Sequence, residues 1–407
     1  MAPAPTFLIV GASLAGGTAA ATLRSSGFDG RIVLVGEEPV APYERPPLSK
    51  QFLRGEVAFE TALVRPESFW TEQRIECRFG TRAVRLDPVA HVVELSDGSL
   101  LAYDKLLVST GLRNRTLMIP GADLAGVHSL RTAAESEAIA AGAAGAGAAV
   151  VVGMGFIGSE VAASLRQRGV PVVAIEPLPT PVYRALGPEV GSILAEIHAD
   201  HGVALHTSES VAAFEGEGRV ERVVTATGRR IECDLAVVGV GAMPVTDWLE
   251  GSGVDLDDGV VVDAACRTNV ENVFAAGDVA RHFHPRTGHH IRVEHWQNAL
   301  KQGAAVAAAM LGSAEPYNEV HWFWSDQYDA NIQSAGQVGV WASAVVRGSL
   351  PARSCVAFWV AGDRIEGAVA VNRGRDLRRS LALIASGARV DPARLADPDV
   401  DVRAAAV

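Results

Sequence analysis

The chain has 407 residues, of which 48% are hydrophobic and 20% charged, and its formal net charge is −11. That length favours two or three domains, and the composition is that of a packed globular protein and excludes a disordered one. The acidic balance argues against nucleic acid as the main partner, because phosphate binding draws on clustered Lys and Arg.

The N-terminal residues Met1 to Pro5 carry no basic segment, and the apolar run Phe7 to Val10 leads straight into glycines, so a secretory leader is not expected. From Phe7 to Glu38 the pattern is strand, glycine turn, Ala-rich helix, strand and acidic residue. Leu14 to Ser26 reads as the helix, stopped by Gly27, and Arg31 to Val35 as the second strand. The uncharged stretch Ala138 to Ser159 is long enough to suggest a membrane span. It is almost all Ala and Gly until Ala149, however, and then becomes a short Val strand feeding a glycine fingerprint, so no membrane association is expected.

Ala148 to Glu176 repeats the first pattern, with a helix from Ile157 to Arg168 stopped by Gly169 and a strand from Val170 to Ile175. Two such βαβ units predict two nucleotide-binding domains of related fold. After Asp263 come a strand-like Asn272 to Ala276, a long helix near Gln297 to Leu311, and an aromatic tail. In that tail Val356 to Val360 and Gly367 to Val371 suggest antiparallel strands. The expected fold class is α/β, with two Rossmann-like dinucleotide-binding domains and a C-terminal α+β domain. Four cysteines, at 77, 233, 266 and 355, are too far apart for a CxxC or zinc-ligand pair. They read as inert thiols of a reducing cytoplasm, and no metal is expected.

A dinucleotide turn needs one glycine for the tight bend, a second for close approach of the pyrophosphate and a third for helix packing. Gly153, Gly155 and Gly158 meet all three needs, and Ile157 lies between the last two. In the first unit Gly11, Ser13 and Gly16 take these positions, with Ser13 small enough to leave an anion near the helix N-terminus. Glu176 follows Gly153 by 23 residues, where a carboxylate accepts from a ribose 2′-hydroxyl and repels a 2′-phosphate. This predicts NADH over NADPH, although Arg184 nearby leaves the preference less strict.

Five further motifs occur in order: Pro42 to Lys50 (PYERPPLSK), Ser109-Thr110-Gly111, Val273 to Asp278 (VFAAGD), Glu294 to Ala299 (EHWQNA) and Phe323 to Gln327 (FWSDQ). With these the chain, up to about Arg379, resembles the oxygenase-coupled ferredoxin reductases, the family of putidaredoxin reductase, rubredoxin reductase and the dioxygenase reductase components. The resemblance implies an FAD enzyme of glutathione-reductase-like architecture that takes electrons from NADH to a [2Fe-2S] ferredoxin serving a cytochrome P450 or Rieske oxygenase. It implies an FAD domain over 1–112 and 245–320, an NAD domain over 113–244 and a C-terminal domain over 321–407, in a monomer or weak dimer. Ala15 and Gly16 are then expected at the FAD pyrophosphate, Glu37 at its ribose and Val84 near the adenine. Lys50 and Asp278 belong at the flavin and its ribityl chain, Arg45 and Arg131 also at FAD, and Gly241 at the nicotinamide nucleotide. Trp296 and Trp324 are expected around the isoalloxazine and the entering nicotinamide.

Chemistry supports these residue types. A reduced flavin gathers negative charge that a cation stabilises, so Lys50 can polarise the flavin edge and Glu160 can pair with it. Three positions depart from the family pattern: Ser13 for a glycine, Asn114 for a proline and Met243 for an arginine. The Arg45 to Lys50 stretch lacks the redox cysteine pair of related disulfide reductases, which disfavours thiol chemistry. Two other readings stay open: an NADH oxidase, and an NADH-responsive interaction protein similar to apoptosis-inducing factor.

Overall fold

The computed structural model describes residues 4–339 and 343–407, and the chain divides into two compact units. The first comprises the residues up to Glu44, Phe59–Arg113 and Ala242–His321; the second comprises Arg45–Ala58, Asn114–Gly241 and Trp322–Val407.

In the first unit a parallel sheet runs in the order Val273–Ala275, Lys105–Val108, Thr6–Val10, Arg31–Gly36 and Ile75–Phe79. Its central strands are apolar at nearly every position because both faces are covered. Alternation sends Leu8, Val10, Val33, Val35 and Leu106 to one core cluster, and Phe7, Ile9, Ile32, Leu34 and Leu107 to the other. Helices Leu14–Ser25 and Trp296–Met310 contribute Ala19, Ala20, Leu23, Val306 and Met310 to the second cluster. They approach backbone to backbone: a Cβ on Gly303 would lie 2.5 Å from the carbonyl oxygen of Ala15. The Ala and Gly content of both segments is therefore a packing requirement. The later helix begins one residue before the sequence pattern suggests, since His295 is its extended N-cap residue.

The second unit has a parallel sheet of Val203–Thr207, Val172–Glu176, Ala149–Val152, Leu235–Val238 and Val127–Ser129 side by side; its first four strands repeat the arrangement of the other sheet, while the edge strand Val127–Ser129 precedes them in the chain. The uncharged stretch breaks here into pieces. Helix Ala133–Ala143 starts at a capping box made by Thr132 and Glu135, and Ala149–Val152 is the buried central strand. Among the described residues no helix is long and apolar enough to cross a membrane. Helix Phe156–Gln167 follows the second glycine turn, and helix Tyr183–Asp200 bends at Gly187, whose φ is 81°.

The C-terminal part of this unit is an antiparallel sheet in the order Trp322–Gln327, Ala330–Gly336, Arg364–Val371, Ser354–Ala361 and Ala344–Ser349. Both tail strands read from the sequence lie inside longer ones. Helix Tyr183–Asp200 covers the sheet with Leu186, Val190, Ile193 and Ile197 against Ile332, Ala357 and Val369, while helix Gly374–Ser386 follows the strand Arg364–Val371.

Candidate active site

Each glycine turn is closed by backbone contact. At Gly11, whose φ is 117°, a Cβ would meet the carbonyl oxygen of Ser109 at 2.1 Å, and at Gly16 it would meet that of Gly11 at 2.0 Å. The second unit repeats this at Gly153, with φ 86° and the Gly239 oxygen 2.5 Å away, and at Gly158, with the Gly153 oxygen 1.9 Å away. In both sheets the first glycine thus abuts the strand end at the topological switch point, where α/β sheets bind ligands. Gly155 differs: a Cβ there would meet nothing within 4 Å. No protein atom requires a glycine at that position, so the room it leaves suits a ligand at the helix N-terminus, where free amides favour phosphate. Ser13, at the equivalent place, is the extended N-cap residue of Leu14–Ser25, and its side chain makes no capping bond. Both turns therefore fit the dinucleotides the sequence calls for.

The two strand-end carboxylates stand in different surroundings. Glu37 is exposed. Glu176 is buried, its Oε2 accepts from the Met154 amide at 2.6 Å, and its Oε1 accepts from the Leu178 amide at 2.9 Å. It thus braces the glycine turn. Val84 and Ile157 are exposed apolar side chains, and Arg184 and Gly241 lie at the surface. Asp278 is half-buried beside Gly277, whose amide donates to the buried Gln302 carboxamide at 2.8 Å. Ala15 packs with Leu14, Ala299 and Trp296, and burial pushes the Glu44 carboxyl up, an effect opposed by the Trp296 indole.

Lys50 and Glu160 come together in the second unit. Lys50 Nζ is 2.6 Å from Glu160 Oε2, with both side chains buried, and Ser49 Oγ donates to the same oxygen at 2.5 Å. Ser325 Oγ donates to Oε1 at 2.7 Å. The Lys50 ammonium also reaches the Pro46 carbonyl at 3.3 Å. A single stripe of helix Phe156–Gln167 and its C-cap, spaced four residues apart, holds this segment. Glu160 takes Ser49 and Lys50, Ser164 Oγ donates to the Ser49 carbonyl at 2.6 Å, and Arg168 donates to the Leu53 carbonyl at 2.5 Å. Ser136 Oγ adds a bond to the Leu48 carbonyl at 2.7 Å, and Arg45 donates to the Arg131 carbonyl. The Pro-rich run is a 3-10 turn, Pro46–Ser49, followed by the short helix Gln51–Arg54. Sequence reasoning named Lys50 and Glu160 but missed Ser49, Ser164 and Ser325; the one available signal was the four-residue spacing of 156, 160, 164 and 168.

Trp324 stacks on Trp322 with ring centroids 5.4 Å apart, on the strand face opposite Phe323 and Ser325. Phe323 packs edge-on against Phe156 at 4.6 Å.

The sequence pattern of the pyridine nucleotide-disulphide oxidoreductases matches residues 5–303, and that of the reductase C-terminal domain matches residues 322–406. The chain belongs to the pyridine nucleotide-disulphide oxidoreductase family. Within it, this oxidoreductase falls with the ferredoxin reductases of oxygenase systems. It is 40% identical to the anthranilate 1,2-dioxygenase system ferredoxin–NAD(+) reductase component of Burkholderia cepacia over 98% of this chain and 99% of that one. The solved ferredoxin reductase for the CYP199A2 system from Rhodopseudomonas palustris superposes with a TM-score of 0.95 at 36% identity, covering 99% of this chain and 100% of the other. The reductase in a covalent putidaredoxin reductase–putidaredoxin complex gives 0.95 at 31% identity, covering 98% of each chain.

For a pyridine nucleotide-disulphide oxidoreductase the thiols are unusual. All four cysteines are free. Burial pushes Cys77 up to about 11 and Cys233 and Cys266 up to about 12, so none is a ready thiolate. Among the described residues no group of His, Cys, Asp and Glu is arranged to hold a metal. The four arginines 373, 375, 378 and 379 divide into two pairs. Arg373 and Arg379 are engaged with Asp376 at 2.9 Å and Asp401 at 3.2 Å, while Arg375 and Arg378 are exposed.

Proposed function

We propose that this protein is an FAD-dependent NADH:ferredoxin oxidoreductase that feeds electrons to a [2Fe-2S] ferredoxin serving a cytochrome P450 or Rieske oxygenase. The observation that carries this reading is the pair of glycine turns, one in each unit, each closed onto its switch-point strand and neither accompanied by a thiol pair. The first unit holds the FAD nucleotide through Gly11, Ser13, Ala15, Gly16 and Glu37, with Val84 at the adenine; the second holds NADH through Gly153, Gly155, Ile157, Gly158 and Glu176. When bound, FAD supplies a two-electron acceptor for NADH and a one-electron donor for the ferredoxin.

The protein's part is to place charge and exclude water. Glu160 pairs with Lys50 in a buried position, and Lys50 offers its positive end to the negative charge that gathers on a reduced flavin. Asp278, Arg45 and Arg131 hold the cofactor, and Trp296 and Trp324 give flat apolar surfaces to the rings. The family relative named as a ferredoxin–NAD(+) reductase component and the putidaredoxin complex support the nucleotide and the partner, and four free thiols agree with a cytoplasmic setting.

Purified protein supplied with NADH, a panel of [2Fe-2S] ferredoxins and cytochrome c as final acceptor tests the reading. Ferredoxin-dependent cytochrome c reduction is the expected result. Slow flavin reduction with a long-lived charge-transfer band and no ferredoxin-dependent turnover would replace it with the interaction-protein reading.

A further inference from the structure

Beyond Glu160 the hydrogen bonds continue through a line of fully buried polar side chains that the reaction itself does not need. Ser325 and Gln327 alternate on one face of strand Trp322–Gln327, and His198 lies on helix Tyr183–Asp200. Gln327 Nε2 is 3.3 Å from Ser325 Oγ, and Gln327 Oε1 is 3.1 Å from His198 Nε2. His198 Nδ1 is 3.1 Å from the Tyr328 hydroxyl.

The direction of every bond in this line follows from one fact. An ionised Glu160 only accepts, so Ser325 must give it its single proton. Ser325 then accepts from the Gln327 amide nitrogen, which turns the Gln327 oxygen to His198. An oxygen there requires the proton on Nε2, and the bare Nδ1 takes the Tyr328 proton. Were the Gln327 amide turned over, Ser325 would donate to Gln327 and Glu160 Oε1 would lose its donor. The line therefore has two polarities, and the charge on Glu160 selects one of them.

Tyr328 supports the idea that this line is built. It is the first residue of the two-residue loop between the paired residues Gln327 and Ala330, and its φ is 55°. That turn position favours glycine, and a bulky residue there carries backbone strain. His201 stacks on the Tyr328 ring at 3.6 Å and fixes it in place.

We propose that Ser325, Gln327 and His198 are positioning residues that act on Lys50 through Glu160: a one-way chain of donation from Tyr328 ends on the carboxylate and keeps its other oxygen turned to the lysine. The proposal rests on the reading of Lys50 as the cation that serves the flavin. The three groups supply no proton and touch no substrate. They complete the set of hydrogen-bond donors around a buried carboxylate.

The test reads the tautomer of His198 by NMR in protein labelled with 15N-histidine, the signals being assigned by their loss in His198→Asn. Wild-type protein at pH 7 should show the proton on Nε2 and a bare Nδ1. In Ser325→Ala the Gln327 amide is free to turn over, so an Nδ1–H population should appear. The same variant should reduce its flavin with NADH about tenfold more slowly, the worth of one hydrogen bond to a charged group, at unchanged NADH affinity. An Nδ1–H tautomer in the wild type overturns the proposal, as does a Ser325→Ala protein that matches the wild type in both tautomer and reduction rate. A wild-type protein that binds no FAD, or whose flavin NADH does not reduce, overturns the functional reading instead, and the tautomers still decide the relay.

Discussion

Lys50 Nζ stands 2.6 Å from Glu160 Oε2, across 110 residues of sequence, with side-chain exposures of 8% and 3%. A buried ion pair adds little stability over a well-packed apolar pair, but removing one member strands the other charge. Lys50→Met or Glu160→Leu alone should therefore destabilise the protein by about 3–5 kcal/mol, and the two together by less than either alone. All three variants should lose fast flavin reduction. Urea unfolding and stopped-flow reduction check this, and a double variant as unstable as the sum of the singles would remove the pair from the account.

The glycines of the second turn separate folding from binding. Gly155→Ala adds a methyl group that meets no protein atom within 4 Å, whereas Gly158→Ala drives one to 1.9 Å from the Gly153 oxygen. Gly155→Ala should unfold within about 1 kcal/mol of wild type yet bind NADH at least tenfold more weakly, with FAD content unchanged. Gly158→Ala should lose stability as well. Calorimetry and NADH titration read the two effects, and equal loss of stability in both variants would mean that Gly155 is a packing device.

These turns were legible in the sequence because glycine spacing records backbone geometry directly, and the parallel strands because unbroken apolar runs such as Ile32 to Val35 record burial on both faces. Lys50 and Glu160 were legible through motif and charge. Ser49 and Ser325 were not, since a serine in a loop or strand has the same sequence appearance whether it faces water or a buried carboxylate. The bracing of the turn by Glu176 was hidden for a similar reason: position predicts a ribose acceptor but says nothing of amides two residues away or across the turn.

That bracing sharpens the expected nucleotide preference. Glu176→Gln removes the charge and keeps an acceptor for the Met154 amide, so the preference for NADH over NADPH should narrow while NADH turnover stays within a few-fold of wild type. Glu176→Ala should weaken both nucleotides, because the turn loses its brace. A wild-type enzyme that prefers NADPH, or a Glu176→Gln enzyme with unaltered preference, would take the carboxylate out of nucleotide choice.

Histidines set an acid limit on stability. Burial lowers His198, His282 and His295 from 6.5 to about 4, and His321 to about 3, with His284, 4.9 Å from the His321 ring, adding repulsion. The unfolded chain then binds protons that the native protein refuses, so stability is full above about pH 6.5 and falls as the pH drops toward 4. Neither nitrogen of His321 has a hydrogen-bond partner among the described residues. His321→Leu should raise the urea midpoint at pH 7.5 and raise it further at pH 5. A midpoint that is flat between these pH values in the wild type would contradict the neutral cluster.

Ferredoxin docking raises a question of charge, since the chain carries −11 and would repel an acidic ferredoxin. Like net charges slow encounter unless a local patch reverses the field. On helix Gly374–Ser386 and its N-cap, Arg373 shares Asp376 with Arg347, and Arg379 shares Asp401 with Arg403. Arg347 beneath them is buried and spends its guanidinium on Asp376 and on the carbonyls of Pro398 and Val400, which staples the C-terminal segment in place. Arg375 and Arg378 are the exposed members of the four arginines 373, 375, 378 and 379, so their charges face solvent most directly. Arg375→Glu with Arg378→Glu should raise the apparent KM for ferredoxin several-fold at low salt, and the difference should shrink as ionic strength shortens the screening length. NADH-driven reduction of ferricyanide, a small acceptor, should keep its wild-type rate. Equal loss with both acceptors would place the damage at the fold or the flavin, and an unchanged KM for ferredoxin at low salt would move the docking site off this helix.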